Sequence, residues 1–314
     1  MSKKISIIIP AYNEHDNLLE LTSRLKAVFE QNDNYEFDCL IIENGSLDDS
    51  WNLLKKICSE DKRFRSIQLS RNFRMDGALT AGLNNIDGDA AVLMAGDLQD
   101  PPELITDFIK KWERGYDNIY QIVTERQGVN FVRRFNSQLF YLIANFLTGG
   151  MLPKNVSDFR LVDKKVYQAV KSMNERNRFV RGLFAWSGFK ACGIECPRHP
   201  RVNGESGAHT LKVLSLALKG IFAHSYIPLK LVSATGILLS FGAFIFLIYF
   251  TLRVIYKGVP FDGFGTATGI MVLMFGFLFI FLGIIGEYVG LIYEEVKQRP
   301  NFIIKDQTDA NAEK

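Results

Sequence analysis

Closely spaced pairs of cysteines are missing from this sequence. Cys39, Cys58, Cys192 and Cys196 make no disulfide framework, because the one short C-x3-C spacing has no second pair to match it. Free thiols in a reducing compartment fit that pattern. A surplus of one charge is missing as well: 37 Lys and Arg face 34 Asp and Glu, a formal net charge of +3. So even a mixture argues against a nucleic-acid partner. Polarity is too scarce for intrinsic disorder, since 47% of the residues are hydrophobic. No internal repeat or low-complexity tract is evident. No signal peptide is expected either, because the first apolar stretch is short and ends at Pro10.

What the chain does have is 314 residues with charge unevenly spread along them. In 231–296 the charged side chains are Arg253, Lys257, Asp262, Glu287, Glu294 and Glu295, and the runs 231–252 and 264–286 carry none. A membrane-spanning helix needs about 20 apolar residues, and both runs reach that length. Lys212, Lys219 and Lys230 precede the first run, and Lys297, Arg299 and Lys305 follow the second. The positive-inside bias then places both termini in the cytoplasm, on the inner face of the plasma membrane. The expected division is a cytoplasmic domain over 1–228, two transmembrane helices within 229–296 and a cytoplasmic tail over 297–314, polar and frayed in its last eight residues.

The N-terminal part alternates strand and helix signals. KISIIIPA (4–11) is a β-branched run of the kind buried on both faces, and Leu18, Leu21, Leu25 and Phe29 then share one helical face. Further strands are expected at 37–44, 64–70 and 89–96, with helices after 46 and near 76–86. That alternation predicts a parallel α/β sheet whose ligands bind at the carboxyl ends of its strands. Two later segments, 129–147 and 209–226, place apolar stripes beside Arg or Lys and are expected to lie in the headgroup layer of a lipid bilayer.

After the fourth strand, Asp97, Gln99 and Asp100 offer hard oxygen ligands suited to Mg2+ or Mn2+. Alone, this G-D-L-Q-D loop reads equally well as a solvated turn.

The motifs IIIPAYNEHDNL, IIENGSLDDSW, LSRNFRMDGALTAGL, MAGDLQDPPELI, SDFRLVD, NRFVRGLFAWSGF, RVNGES and GEYVGLIYEEVKQRP follow one another in order. Together they resemble the bacterial polyisoprenyl-phosphate glycosyltransferases, relatives of dolichol-phosphate mannose synthase among the inverting family 2 enzymes. The resemblance implies a GT-A-type, Rossmann-like domain that transfers a sugar from a nucleotide sugar, UDP-glucose for example, to polyisoprenyl phosphate. It implies that Pro10, Ala11, Tyr12, Glu14 and Asn44 hold the nucleotide, with Arg201 and Ser206 in a loop closing over it. Asp97 and Gln99 would bind the metal, Asp97 and Asp158 would be catalytic, and Arg126, Arg134 and Ser137 would hold the lipid phosphate. A homo-oligomer formed through the transmembrane and C-terminal region is a further expectation.

The chain departs from the family pattern at three places. Glu43-Asn44 stands for the usual Asp-Asp, Ala95 for the first Asp of D-x-D, and Gly207 for a Lys. An Asp at position 44 would accept from a uracil N–H, whereas an amide can donate or accept, which keeps a CDP- or CMP-sugar open as donor. The missing carboxylate at 95 keeps open an inactive relative acting as a membrane scaffold. A processive polysaccharide synthase would carry a Q-x-x-R-W segment that is absent here, and a transporter would carry a mid-membrane charge.

Overall fold

The computed structural model describes residues 2–124, 155–198, 227–258 and 264–308. Its first half is β1 (Lys4–Ala11), α1 (His15–Gln31), β2 (Glu36–Glu43), α2 (Ser50–Glu60), β3 (Phe64–Leu69), α3 (Arg74–Asn84), β4 (Ala90–Leu93) and α4 (Leu104–Glu113). Then come β5 (Asn118–Val123), β6 (Val156–Asp163), α5 (Lys164–Ser172), α6 (Val180–Trp186) and β7 (Ala191–Cys196). Two long helices, α7 (Ile227–Lys257) and α8 (Phe264–Val296), precede a last strand, β8 (Ile304–Gln307). The expected interfacial segments 129–147 and 209–226 lie outside the described residues.

All eight strands join one sheet in the order β7-β5-β6-β4-β1-β2-β3-β8. β1 sits near its middle and is buried from Ile5 onward, as a β-branched run covered on both faces should be. Alternation along it divides the core. Ile5, Ile7 and Ile9 meet α1, α2 and α4 on one face, while Ile8 meets α3, α5 and α6 on the other. The α1 stripe is buried as expected: Leu18, Leu21 and Leu25 are fully covered and Phe29 nearly so. Each contributes about 1.5–3 kcal/mol by leaving water. Behind β1, α3 comes so close that a Cβ at Gly82 would stand 2.2 Å from Ile8 Cγ2. Only a glycine fits that contact.

Two expectations need correction. The sheet is mixed rather than parallel. β1, β2, β3 and β4 run parallel, but β6 is antiparallel to both β4 and β5, and β8 is antiparallel to β3. The tail is also not frayed as far back as 307. Gln307 pairs with Ile67, and the Thr308 N–H donates to the Ser66 carbonyl at 2.9 Å. Without β8, β3 would be an edge with unpaired backbone groups, and satisfying them outweighs the polarity of the tail.

α7 and the 269–296 part of α8 are long and apolar enough to cross a membrane, and none of either apolar stretch is buried within the protein. Phe241, Phe244, Ile245, Leu273 and Phe279 all face outward. A core helix of a soluble protein would bury such residues, so these helices associate with membrane.

Candidate active site

The parallel strands deliver their following loops to one edge of the sheet. After β1 the chain turns sharply at Asn13, whose φ is 55°. The turn is laced to the loop after β2: the Asn13 N–H donates to Ser46 Oγ at 3.0 Å, and the Leu47 N–H donates to Asn13 Oδ1 at 2.8 Å. Pro10 and Ala11 are buried beneath it. Tyr12 stays 39% exposed. Glu14 accepts from Asn17 Nδ2 and opens α1.

Asn44 is held by the turn that follows β3. It is buried, and its amide is already committed to the turn before α3. Nδ2 donates to the Arg74 carbonyl at 3.1 Å and to Asn72 Oδ1 at 3.4 Å, and Oδ1 accepts from the Phe73 N–H at 2.9 Å. These bonds use both Nδ2 hydrogens and one lone pair of Oδ1, so this amide shapes the 71–74 turn. Beside it, Glu43 is fully buried. It accepts from the Ser46 N–H through Oε1, while its Oε2 has no hydrogen-bond partner among the described residues.

β4 ends at Leu93, and the chain enters a tight turn with Leu98 at φ 55°. Gly96 lies against β1 in that turn, where a Cβ would make ordinary contact 3.4 Å from the Pro10 carbonyl oxygen. Asp97 is nearly buried, and its Oδ1 accepts from the Gln99 N–H at 3.3 Å. Asp100 is buried. It accepts from Ser157 Oγ at 3.2 Å and pairs with Arg198, whose Nε is 3.2 Å from Oδ1. Burial pushes its carboxyl up, against the pull of Arg198.

That Ser157–Asp100 bond ties the Asp97 turn to β6, which carries Asp158. The Asp158 carboxylate takes both prongs of Arg181, Nε to Oδ1 at 2.8 Å and Nη2 to Oδ2 at 2.5 Å. Burial alone would raise this carboxyl. Arg181, with Arg160 and Arg198 near it, brings it below the usual carboxylate range.

Asp97, Gln99 and Asp158 are therefore gathered at one edge with Pro10, Ala11, Tyr12 and Glu14. Arg126, Arg134, Ser137, Arg201 and Ser206 lie outside the described residues. Sequence reasoning missed Arg181 and Arg198, and took Glu43 only as a departure from the family pattern. The NRFVRGLFAWSGF motif was visible, but nothing in it says which Arg meets which carboxylate.

Asp97 and Gln99 are two oxygen donors in one turn, which suits Mg2+ or Mn2+. Among the described residues no group of three His, Cys, Asp or Glu could hold an ion. An ion at Asp97 and Gln99 would thus need oxygens from water and from a phosphate substrate, as Mg2+ sites commonly do.

The family model for "Glycosyl transferase family 2" matches residues 6–171. A glycosyltransferase of Synechocystis with no assigned activity is 38% identical over 307 residues, covering 98% of this chain and 96% of its own. The "Prophage bactoprenol glucosyl transferase homolog" of Escherichia coli is 32% identical over 302 residues, 96% of this chain and 98% of that protein. The "Bactoprenol glucosyl transferase" of Shigella phage SfII is 31% identical over 308 residues, 98% of this chain and 99% of that one. With its GT-A-like sheet and near end-to-end likeness to those enzymes, the chain belongs to glycosyl transferase family 2 and is a glycosyltransferase.

Proposed function

We propose that this protein transfers a hexose, glucose from UDP-glucose in the first instance, to the phosphate of a polyisoprenyl lipid in the cytoplasmic leaflet. One observation carries the reading. The Asp97 turn and the Asp158–Arg181 pair are joined through Ser157 and Asp100, in a sheet whose last strand directly follows two exposed apolar helices. The names of the bacterial and phage relatives support the acceptor and the sugar.

The chemistry needs little from a base. A lipid phosphate is already anionic and can attack the anomeric carbon directly, in line with the departing diphosphate and with inversion. Asp158, held as a carboxylate by Arg181, is poorly suited to take a proton. What the site must do is bring two anions together in a fixed arrangement. A divalent ion held by Asp97 and Gln99 would supply positive charge to the leaving diphosphate. Arg126, Arg134 and Ser137 are the residues we assign to the lipid phosphate, and Arg201 and Ser206 to closing over the nucleotide. The argument for a cytidine donor came from the Asn44 amide. With that amide committed elsewhere, a uridine donor is the reading kept, and Tyr12 is the side chain placed to stack on its base.

The pairing of β8 with β3 supports the topology. A strand that follows α8 and joins the N-terminal sheet must lie on the same side of the membrane as that sheet. With the Lys and Arg flanking both apolar runs, that side is the cytoplasm.

The test is direct: full-length protein in lipid nanodiscs, polyprenyl phosphate and a panel of labelled nucleotide sugars. Labelled lipid formed from UDP-glucose, and not from CDP- or GDP-linked sugars, supports the reading. No labelled lipid from any donor sinks it.

A further inference from the structure

Arg181 reaches the site without belonging to the expected set. It lies in the first turn of α6, and its fork on Asp158 leaves the two side chains 29% and 31% exposed. The pair therefore opens on the site instead of closing a core. An ion pair this exposed is weak if its members can swing freely. Here both are fixed from behind.

On the Asp158 side, the buried Arg160 donates from Nε to the Asp158 carbonyl at 3.3 Å and from Nη2 to the Ser157 carbonyl at 3.2 Å. Its guanidinium rests on the Phe184 ring, 5.1 Å from the centroid. On the Arg181 side, Asp76 accepts from the Val180 N–H at 2.9 Å. That donor opens α6 and has no partner within the helix. The loop before α6 is tied in turn to the end of α8 and the strap that follows. The Arg176 N–H donates to the Glu295 carboxylate at 2.9 Å, and Arg176 Nη1 donates to the Arg299 carbonyl at 3.0 Å. Asn301 Nδ2 donates to the Glu175 carbonyl at 3.1 Å. Gly77, next to Asp76, leaves room for this strap: a Cβ there would stand 3.0 Å from the Asn301 carbonyl oxygen and 2.6 Å from Phe73 Cβ.

We propose that Arg181 is a positioning residue of the transfer site, which holds Asp158 as a carboxylate of fixed orientation and is itself placed by Asp76 and by the strap after α8. The proposal rests on the transfer reading above. A loose, unpaired carboxylate beside a sugar diphosphate and a lipid phosphate would repel both. Paired with Arg181, its charge is balanced and its remaining lone pairs keep one direction. The charged groups facing Asp158 are Arg181 from α6, Arg160 from its own strand and Arg198 after β7, with Asp76 and Asp100 further back.

Two measurements on the full-length protein test this. The first needs no activity. Melting temperatures are compared for wild type, Arg181→Ala, Asp158→Asn and the double variant in detergent. The loss caused by Arg181→Ala should shrink in the Asp158→Asn background, and an equal loss in both backgrounds overturns the pairing. The second is kinetic. Arg181→Ala should lower kcat about 10²-fold with the donor KM little changed, the scale of a misplaced reacting geometry. The acid limb of its pH profile should move upward as Asp158 loses its partner, and Arg181→Lys should restore part of both. A defect confined to the donor KM, or an unmoved acid limb, overturns the proposal. If wild type makes no lipid-linked sugar at all, the transfer reading fails, while the melting cycle still decides whether Arg181 holds Asp158.

Discussion

Ser66 and Thr308 are joined by three hydrogen bonds, across 242 residues of sequence. The Ser66 N–H donates to Thr308 Oγ1 at 2.8 Å, and the Ser66 carbonyl accepts from the Thr308 N–H at 2.9 Å and from its hydroxyl at 3.2 Å. Ser66 is in the middle of β3, so this contact pins the strap to the catalytic sheet.

Thr308→Ala should cost about 1 kcal/mol, the net worth of the lost side-chain hydrogen bonds. Deleting residues 304–308 should cost more, since it exposes the β3 edge. Thermal melting in detergent gives both values. A cysteine placed at Asp306 should resist an impermeant thiol reagent added to intact cells, and rapid labelling from outside would overturn the topology.

Asn44→Asp keeps the acceptor for the Phe73 N–H but loses both donors and turns a carboxylate oxygen toward the Arg74 carbonyl. A cost of about 1–3 kcal/mol is expected, the scale for buried polar groups left unpaired. Competition by free UDP and CDP should keep the same ratio as in wild type. A swing in that ratio would mean that the amide reads the base after all.

Asp97→Ala should reduce transfer by at least about 10²-fold while the protein still folds and inserts, because a carboxylate opposite the leaving diphosphate is lost. Gln99→Ala should be milder, a neutral ligand being lost in place of a charged one. Turnover is measured with and without chelator. Near-normal wild-type turnover in excess chelator would show that no metal is used.

Burial pushes the Asp76 carboxyl up to about 6, with Asp158 adding to the rise and the Val180 N–H opposing it. The unfolded chain loses this proton near pH ~4, so the folded state holds it longer and stability falls as pH rises from about 4 to about 6. Asp76→Asn can still accept from the Val180 N–H. It should match wild type near pH ~4 and be more stable near pH ~7, by about 1–2 kcal/mol. Melting curves at the two values check the sign, and a variant less stable than wild type at the higher pH would refute it.

Much of the fold is written in local pattern. The β-branched run at Ile5–Ile9 and the Leu18–Phe29 stripe announce a buried strand and its covering helix, because burial on two faces and on one leave different spacings. β8 has no such mark. Ile304–Gln307 is short and polar, and it is a strand only because β3 offers it an edge. The site divides in the same way. Asp97 and Gln99 are neighbours in sequence and stay together in the turn. Asp158 and Arg181 lie 23 residues apart and on different elements, and they meet through contacts such as that of Asp76 with the start of α6, which no local pattern announces. Asn44 occupies a position assigned by likeness, but the direction of its amide is decided by the 71–74 turn, which differs in no obvious way at the level of letters.

The late position of β8 also sets an order of assembly. Synthesis delivers β3 long before residues 304–308, with both apolar helices in between. Until residues 304–308 emerge, β3 itself is an edge strand, of the kind that recruits other chains. Once paired, the short polar β8 takes over the edge position and covers the longer strand behind it. A polypeptide cut short after α8 would keep the side chains gathered at the carboxyl edge of the sheet and leave β3, longer and more apolar than β8, as the strand open to other chains.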